Sequence, residues 1–585
     1  MPPISGSVPV VATAPEQGNL VDDPLETSAP RDFSEEELDL ALSTSKRSSS
    51  PGLDGLPYAV FRFPAVKSTL LSVCNSVLRS GVAPPDWSNS GLVPLFKKGD
   101  SNLPDNYRGI ALMSTAAKLY NKMILKRVRD LVDTKLRSSQ NGFRPHRSCP
   151  QHILALRRVI ENCRVFQKQS VVITFIDFQK AFDSVHRSYL VDTLVDLEIP
   201  APLIRAIMSL YWDSSVQVVT THGLTDRVPV RRGVLQGDTL APYLFVLVID
   251  RVLRESLVVE TWGYCVRERR SSRFPAEYVT DLTYADDIAV LSTNFAQAEL
   301  MLHAVASKGL AAGLAINLSK TKVLVVGDLA TAEPNRSLSL DGVQLERVSS
   351  FVYLGAQVPS VQDEIAKRLR LAAHQTGLLQ SVWSAPLSLG VKARVFRALI
   401  DPILFYACET WTTPQYVLDR IRGTRNRLLR RALGVHWPNR ILNSELLQLS
   451  PPGDVIVEER RLRSLGHFCR FIYNPSSLQP LNNLLWFTPQ GATRRPGLGA
   501  LIRFIQQITR VLQVTEEELR GAAFAPDKSV YTRWYQDRCA ERWGTRPAAR
   551  RLTPSGITLG AASPASQDSP LPVQTQEPED SDSTT

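Results

Sequence analysis

The chain has 585 residues, 43% of them apolar and 21% charged, with a net charge of +11 and a pI near 9.3. That length accommodates two or three domains and a sizeable core, and the composition excludes a fibrous or mostly disordered chain. The basic balance points to a polyanionic partner, because cationic surfaces gain affinity by releasing counterions from a phosphate backbone.

Residues 1–32 are rich in Pro, Ser, Ala and acidic side chains and lack periodicity, which predicts a disordered leader. The first helix is expected to start at Ser34, with Glu37 closing a capping box ahead of Leu38, Leu40 and Leu42. A loop punctuated by Gly and Pro follows over 50–57. Farther on, the pattern predicts a strand over 171–177, helices near 188–211, strands near 215–231, a helix over 239–257, a hairpin over 276–292, a helix over 295–311 and strands near 321–356. Beyond about residue 362 the chain reads as helical and arginine-rich, and 553–585 reads as a disordered acidic tail. The mixture predicts an α+β fold whose antiparallel sheet is followed by a helical C-terminal region.

Cys74, Cys149, Cys163, Cys265, Cys408, Cys469 and Cys539 form neither a Cys-x-x-Cys pair nor a paired Cys and His spacing. Free thiols in a reducing compartment are expected, rather than a zinc knuckle or a disulfide framework. The N-terminus lacks a secretory pattern and no run approaches about 18 uncharged apolar residues, so an intracellular protein without a membrane span is expected.

The chemistry is concentrated in Tyr284-Ala-Asp286-Asp287, two adjacent carboxylates at the bend between apolar, strand-like runs. At neutral pH such neighbours repel unless a cation lies between them, and hard divalent ions with oxygen ligands fit that need. Upstream, the apolar strand Val171–Ile176 ends on Asp177. One carboxylate at a strand end and two on a hairpin tip can converge on two Mg²⁺ ions roughly 3.5 to 4 Å apart, as in phosphoryl or nucleotidyl transfer. A polymerase or a nuclease is implied.

The order of motifs then resembles one family, the reverse transcriptases of non-LTR (LINE-like) retrotransposons, related to those of group II introns. The resemblance runs from about residue 35 to about 470 through Pro51-Gly-Leu-Asp-Gly55, Leu92 to Asp100 with Asn106-Tyr-Arg-Gly-Ile110, Gln140-Asn-Gly-Phe-Arg144, the Asp177 block, Arg232 to Pro242, the Asp286 block, Asn317-Leu-Ser-Lys-Thr-Lys322 and Phe351-Val-Tyr-Leu-Gly355. It implies an RNA-directed DNA polymerase with a right-hand fold: fingers and palm over 33–360, a helical thumb over 361–475 and a helical C-terminal region over 476–552. It implies Asp177, Asp286 and Asp287 as catalytic residues that bind two Mg²⁺ ions, with Mn²⁺ as a substitute. An RNA template, a DNA primer and dNTPs are the implied partners, and the nucleus is preferred over the cytoplasm.

Phe182 matches the family's sugar-facing gate, where a bulky ring favours dNTP over NTP. Asp183 has no assigned chemical role and reads as a local cap. Gln236 and Gly237 lie where the family's turn flanks the incoming nucleotide, and glycine permits close backbone approach there. Lys97 or Lys98, together with Arg108, falls where fingers cations contact the triphosphate. Lys322 or Lys320 is the implied proton donor to pyrophosphate, with Lys322 preferred. Tyr353, Leu354 and Gly355 resemble the primer grip. Between Gln415 and Arg440, seven arginines face one aspartate among Leu428, Leu429, Leu433 and Trp437, as expected of a thumb gripping an RNA–DNA duplex. A block from Glu459 to Arg470 resembles a helix that follows the thumb, with packing as its expected role.

The chain departs from the family in having Gly109 where proline is common, and in lacking a recognisable nuclease. A separate endonuclease is one candidate partner, and the sequence leaves the source of a priming nick open. The rivals are an RNA polymerase on the same palm and a domesticated or catalytically weak RNA-binding copy of the fold.

Overall fold

The computed structural model describes residues 31–543 except 47, 146, 166–169, 259, 268, 270, 274, 412, 436–440, 452, 472–499, 524 and 526. The expected leader, apart from its last two residues, and the expected acidic tail lie outside the described residues.

Helix α1 (Glu35–Ser43) starts as its sequence predicts: the Ser34 hydroxyl accepts from the Glu37 amide at 3.3 Å and the Glu37 carboxylate accepts from the Ser34 amide at 2.9 Å. It packs on helix α2 (Pro64–Ser80) and on α3 (Thr115–Val132) in one large core. Between α2 and α3, strands β1 (Asn89–Phe96) and β2 (Tyr107–Leu112) form an antiparallel pair, with Gly109 opposite Pro94. Helix α4 (Cys149–Val165) then leads into the central sheet.

Strand β3 (Val171–Ile176) is buried along its whole length. It is followed by helices α5 (Arg187–Asp196) and α6 (Ala201–Met208), strand β4 (Ser215–Thr220), which joins β1 in parallel, and helix α7 (Ala241–Ser256). The hairpin that carries Asp286 and Asp287 is β5 (Asp281–Tyr284) and β6 (Asp287–Ser292), followed by α8 (Phe295–Ala311) and β7 (Lys322–Val326). The sheet order is β8-β7-β3-β6-β5, where β8 is the short Glu346–Arg347 strand; all pairings are antiparallel except β7 with β8. Because side chains alternate along a strand, β3 feeds two cores. Val172 and Ile176 pack with α7 and α8, whereas Val171, Ile173 and Phe175 pack with α4 and the hairpin β9 (Phe351–Tyr353) and β10 (Ala356–Val358).

A third core begins at α9 (Val361–Leu378) and includes α10 (Leu389–Leu399) and α11 (Gln415–Leu433). Here the arginine-rich stretch divides by burial. Arg420, Arg427 and Arg431 are exposed, but Arg425 is 1% exposed and its guanidinium grips Asp401 at 2.8 and 2.7 Å and the Ser450 hydroxyl at 2.6 Å. Arg430 donates to Ile441 and Asn443. Not all seven arginines are thus free for phosphate, since two of them tie the helices together; Trp437 and Arg440 lie outside the described residues.

Helix α12 (Gly453–Phe471) contains the block expected to pack, and Arg461 in it is buried, donating to the Trp411 carbonyl at 2.6 Å. Helices α13 (Ala500–Leu512), α14 (Glu516–Ala523) and α15 (Lys528–Trp543) share a core with α12. The Tyr531 hydroxyl donates to the Leu462 carbonyl at 2.6 Å, and the Tyr531 ring lies so close to Gly466 that a Cβ there would sit 2.0 Å from it.

Removing one partner of the Arg425–Asp401 pair leaves a buried charge uncompensated. Arg425→Met is expected to lower unfolding free energy by about 3–5 kcal/mol in urea titrations, and Asp401→Leu added to it is expected to restore most of that loss.

Candidate active site

The register between β3 and β6 builds the site. Ile176 pairs with Ile288, so one further step sets Asp177 opposite Asp287 at the end of the ladder. Directly opposed residues of an antiparallel pair have Cα atoms about 4.5–5.5 Å apart. Asp287 also pairs with Tyr284, leaving Ala285 and Asp286 as a two-residue turn. Electrostatics report the same proximity. The Asp287 carboxyl is pushed up to about 6 by burial, then by Asp286 and Asp177; Asp286 is raised by burial and by Asp177, with Arg108 opposing. One oxygen of Asp177, Oδ2, is buried and receives no hydrogen bond, although Lys320 Nζ stands 3.4 Å away. Among the described residues no group of three Asp, Glu, His or Cys side chains is already closed around a metal position.

The turn itself requires support. Ala285 has φ +57°, a left-handed conformation that costs a non-glycine residue about 1–2 kcal/mol. Its amide donates to Gln140 Oε1 at 3.1 Å, and the same oxygen accepts from the Gly142 amide at 2.7 Å. A Cβ at Gly142 would lie 2.3 Å from the Ala285 nitrogen, so only glycine allows that approach. The backbone of Ser139 and Asn141 exchanges hydrogen bonds with Thr283, and Arg137 holds the fully buried Asp281 at 2.7 Å. Burial opposes the charge of Asp281, but Arg137 and the threonine hydroxyls outweigh it and lower its pKa. Gln140, Gly142 and Arg137 carried no site role in the sequence reading; only the contact across about 140 residues of chain reveals it.

Asp177 is held from the other side. Its carbonyl accepts from the Asn317 amide at 2.7 Å and its amide donates to the Thr321 hydroxyl at 3.3 Å. The loop that carries Lys320 and Lys322 therefore fixes the backbone of Asp177. The two lysines diverge: Lys320 faces Asp177, whereas Lys322 donates to Glu346 at 2.6 Å and to the Ser319 carbonyl at 2.5 Å. Of the two lysines expected near the pyrophosphate, Lys320 is thus the one paired with Asp177, while Lys322 is paired with a carboxylate on the neighbouring strand.

Phe182 lies half-buried and stacked on Phe245 of α7, ring centroids 4.5 Å apart at 19°. Its carbonyl accepts from the Val234 amide at 2.8 Å, which brings the Arg232–Pro242 motif alongside. In that motif the Gln236 carbonyl accepts from the Ala111 amide of β2 at 2.6 Å. Gly237 has φ +121° and a Cβ on it would meet the Ala111 carbonyl at 2.2 Å. Asp238 is buried, accepting from Asn121 and Tyr211 at 2.7 and 3.0 Å, and so belongs to the support of the turn.

Lys97 is exposed and close enough to Asp183 and Asp105 to perturb both, as is Lys180, which ion-pairs with Asp105 at 2.9 Å. Lys180 belongs to the Asp177 block, yet nothing in the sequence signals that it reaches the β1–β2 loop. Tyr353, Leu354 and Gly355 form a separate hairpin joined to the site through the Tyr353 hydroxyl, which donates to the Leu282 carbonyl at 2.9 Å. Among the described residues no helix is long and apolar enough to cross a membrane.

Residues 96–358 match the family model described as reverse transcriptase (RNA-dependent DNA polymerase). The 115 kDa protein of the type-1 retrotransposable element R1DM of Drosophila melanogaster is 26% identical over 74% of this chain and 42% of its own length. The Pol polyprotein of the R2 element of Popillia japonica is 27% identical over 70% of this chain and 56% of its own. The RNA-directed DNA polymerase of the mobile element jockey of Drosophila funebris is 25% identical over 77% of this chain and 50% of its own. The chain spans about half the length of the curated relatives it matches.

A carboxylate with a raised folded-state pKa binds its proton more tightly folded than unfolded, so it favours folding at low pH and opposes it above. With divalent ions chelated, stability is expected to fall as pH rises from about 4 to about 6 through the Asp287 titration. Asp287→Asn is expected to flatten that segment and raise the thermal midpoint at pH 7; an unchanged or lower midpoint would count against the repulsion.

Proposed function

We propose that this chain, whose residues 96–358 match the reverse transcriptase family model, is an RNA-directed DNA polymerase of the non-LTR retrotransposon kind, extending a primer 3′-end with dNTPs. The observation that carries this reading is the opposition of Asp177 to the Asp286–Asp287 turn at one end of the sheet. Three oxygen-donor side chains, mutually repelling and with one buried oxygen unsatisfied, suit a hard divalent cation. Asp177, Asp286 and Asp287 would hold two Mg²⁺ ions, or Mn²⁺ in their place. When bound, such ions activate the attacking hydroxyl and neutralise charge that develops on the phosphates.

The chain's own side chains do the rest. Lys97 and Arg108 hold the triphosphate, Arg108 by the planar fork that matches two phosphate oxygens. The Phe182 ring, kept in place by Phe245, occupies the space that a ribose 2′-hydroxyl needs. Gln236 and Gly237 flank the base pair being formed, in a turn that the close backbone contact with Ala111 fixes against β2. Lys320 gives a proton to the departing pyrophosphate, a role its place beside Asp177 favours over Lys322. The hairpin of Tyr353, Leu354 and Gly355 grips the primer, and the exposed Arg420, Arg427 and Arg431 receive the RNA–DNA duplex. In this reading fingers and palm occupy 33–360 and the thumb begins at 361; of the expected C-terminal region 476–552, residues 476–499 and 544–552 lie outside the described residues.

On an RNA template with a DNA primer, dNTPs are expected to be incorporated in preference to NTPs, and Asp286→Ala is expected to reduce extension by about 1000-fold or more. Duplex binding by that variant should stay equal or tighten, because an anion leaves a phosphate-facing cleft. Preferential use of NTPs would overturn the assignment. In single-turnover extension Lys320→Ala should lose about 100-fold while Lys322→Ala keeps near-normal rates; the reverse ranking would return the proton-donor role to Lys322.

A further inference from the structure

Both central residues of the grip hairpin are left-handed, Leu354 at φ +46° and Gly355 at φ +80°, between the paired Tyr353 and Ala356. Glycine adopts this readily; leucine does not. Both of their carbonyls are taken by side chains from beyond residue 360. The Tyr406 hydroxyl donates to the Leu354 carbonyl at 2.8 Å, and the Arg368 guanidinium donates to the Gly355 carbonyl. Arg368 also lies over the Tyr406 ring, 4.5 Å from its centroid, and Gly355 would bring a Cβ within 3.3 Å of that ring. Glu364 completes the arrangement: one oxygen accepts from Arg368 Nε at 2.5 Å and the other from the Gln357 amide at 2.6 Å.

Glu364 is 0% exposed and Arg368 8%. A buried ion pair is a poor source of stability against an apolar substitute, so its use here points to orientation. The second Glu364 oxygen and one arm of the Arg368 guanidinium bind the hairpin backbone. Tyr406 is itself anchored, since the Asp401–Leu404 turn before it is held by Arg425 and the Phe405 carbonyl accepts from Arg460 at 2.6 Å. The hairpin is tied at its base to the catalytic hairpin through Tyr353 and Leu282. It therefore joins the helical region and the carboxylate turn.

We propose that Glu364, Arg368 and Tyr406 are positioning residues that fix the Leu354–Gly355 turn and, through it, the primer 3′-end against Asp177 and Asp286. The inference rests on the grip reading given above. The three touch no reacting atom; they transmit the position of helix α9 and of the Tyr406 turn to the grip.

The test is single-nucleotide incorporation on an RNA–DNA duplex by the full chain carrying Arg368→Met or Tyr406→Phe, the latter removing one hydroxyl and keeping the ring. A displacement of about 1 Å costs about 100-fold in rate. Arg368→Met should lose about 10- to 100-fold in the rate at saturating dNTP, and Tyr406→Phe a smaller amount, with the dNTP concentration for half-maximal rate and duplex affinity unchanged. Arg368→Met is expected to lower the melting temperature in either case, because it leaves Glu364 uncompensated; a purely structural role would move duplex affinity along with the rate. If Arg368→Met fails to fold, Tyr406→Phe carries the test, and normal rates in a folded variant overturn the proposal. In parallel, a photocrosslinker in place of Val352, which is 45% exposed on the hairpin, should capture the primer's terminal nucleotides. Absence of that crosslink overturns the grip reading, whereas a crosslink together with unimpaired variants overturns the brace alone.

Discussion

Three carboxylates forced into one end of a sheet govern this structure. Neither Asp177 nor the Asp286–Asp287 pair can move away, because the ladder that sets them opposite each other is continuous through β3 and β6 and every β3 side chain before Asp177 is buried. A one-residue slip would turn all of those apolar side chains to the wrong face, so the register is defended by two cores at once. The raised pKa values of Asp286 and Asp287, caused first by burial and then by the neighbouring carboxylates, mark the cost of that arrangement. The same arrangement is also what makes the site attractive to cations.

The surroundings meet the cost with backbone contacts. Gln140 supplies one oxygen to two amides under the turn, Gly142 removes the side chain that would obstruct it, and the Asn317–Thr321 loop binds the Asp177 peptide from the far side. Functional side chains thereby stay free to face the cleft while their backbone is held. The same device recurs at the Gln236–Gly237 turn on β2 and at the Leu354–Gly355 turn under Arg368 and Tyr406. In each case glycine sits at the point of closest approach.

Beyond the sheet, charge serves two separate purposes in the helical region. Arg425, Arg461 and Arg368 are buried and satisfy carboxylates or carbonyls, holding helices and hairpin in fixed relation. Arg420, Arg427 and Arg431 remain at the surface. Composition cannot separate the two groups, because both kinds of arginine occur on one helix within a few residues of each other.

The sequence by itself determined the elements that carry the three carboxylates. An unbroken apolar run ending on Asp177, alternation around Asp286 and Asp287, and a capping box at Ser34 are local patterns, dictated by strand and helix periodicity and by nearby hydrogen bonds. The order of motifs named the family for the same reason, since each motif is a short stretch of neighbours. Only the tertiary structure decided which of two equivalent lysines faces Asp177, which arginines are buried, and which distant residues hold the turns. Those outcomes depend on contacts between residues far apart along the chain. Lys320 and Lys322 differ by two positions in sequence but by a whole environment in space, because β7 carries Lys322 toward Glu346 while the preceding loop leaves Lys320 at the mouth of the site.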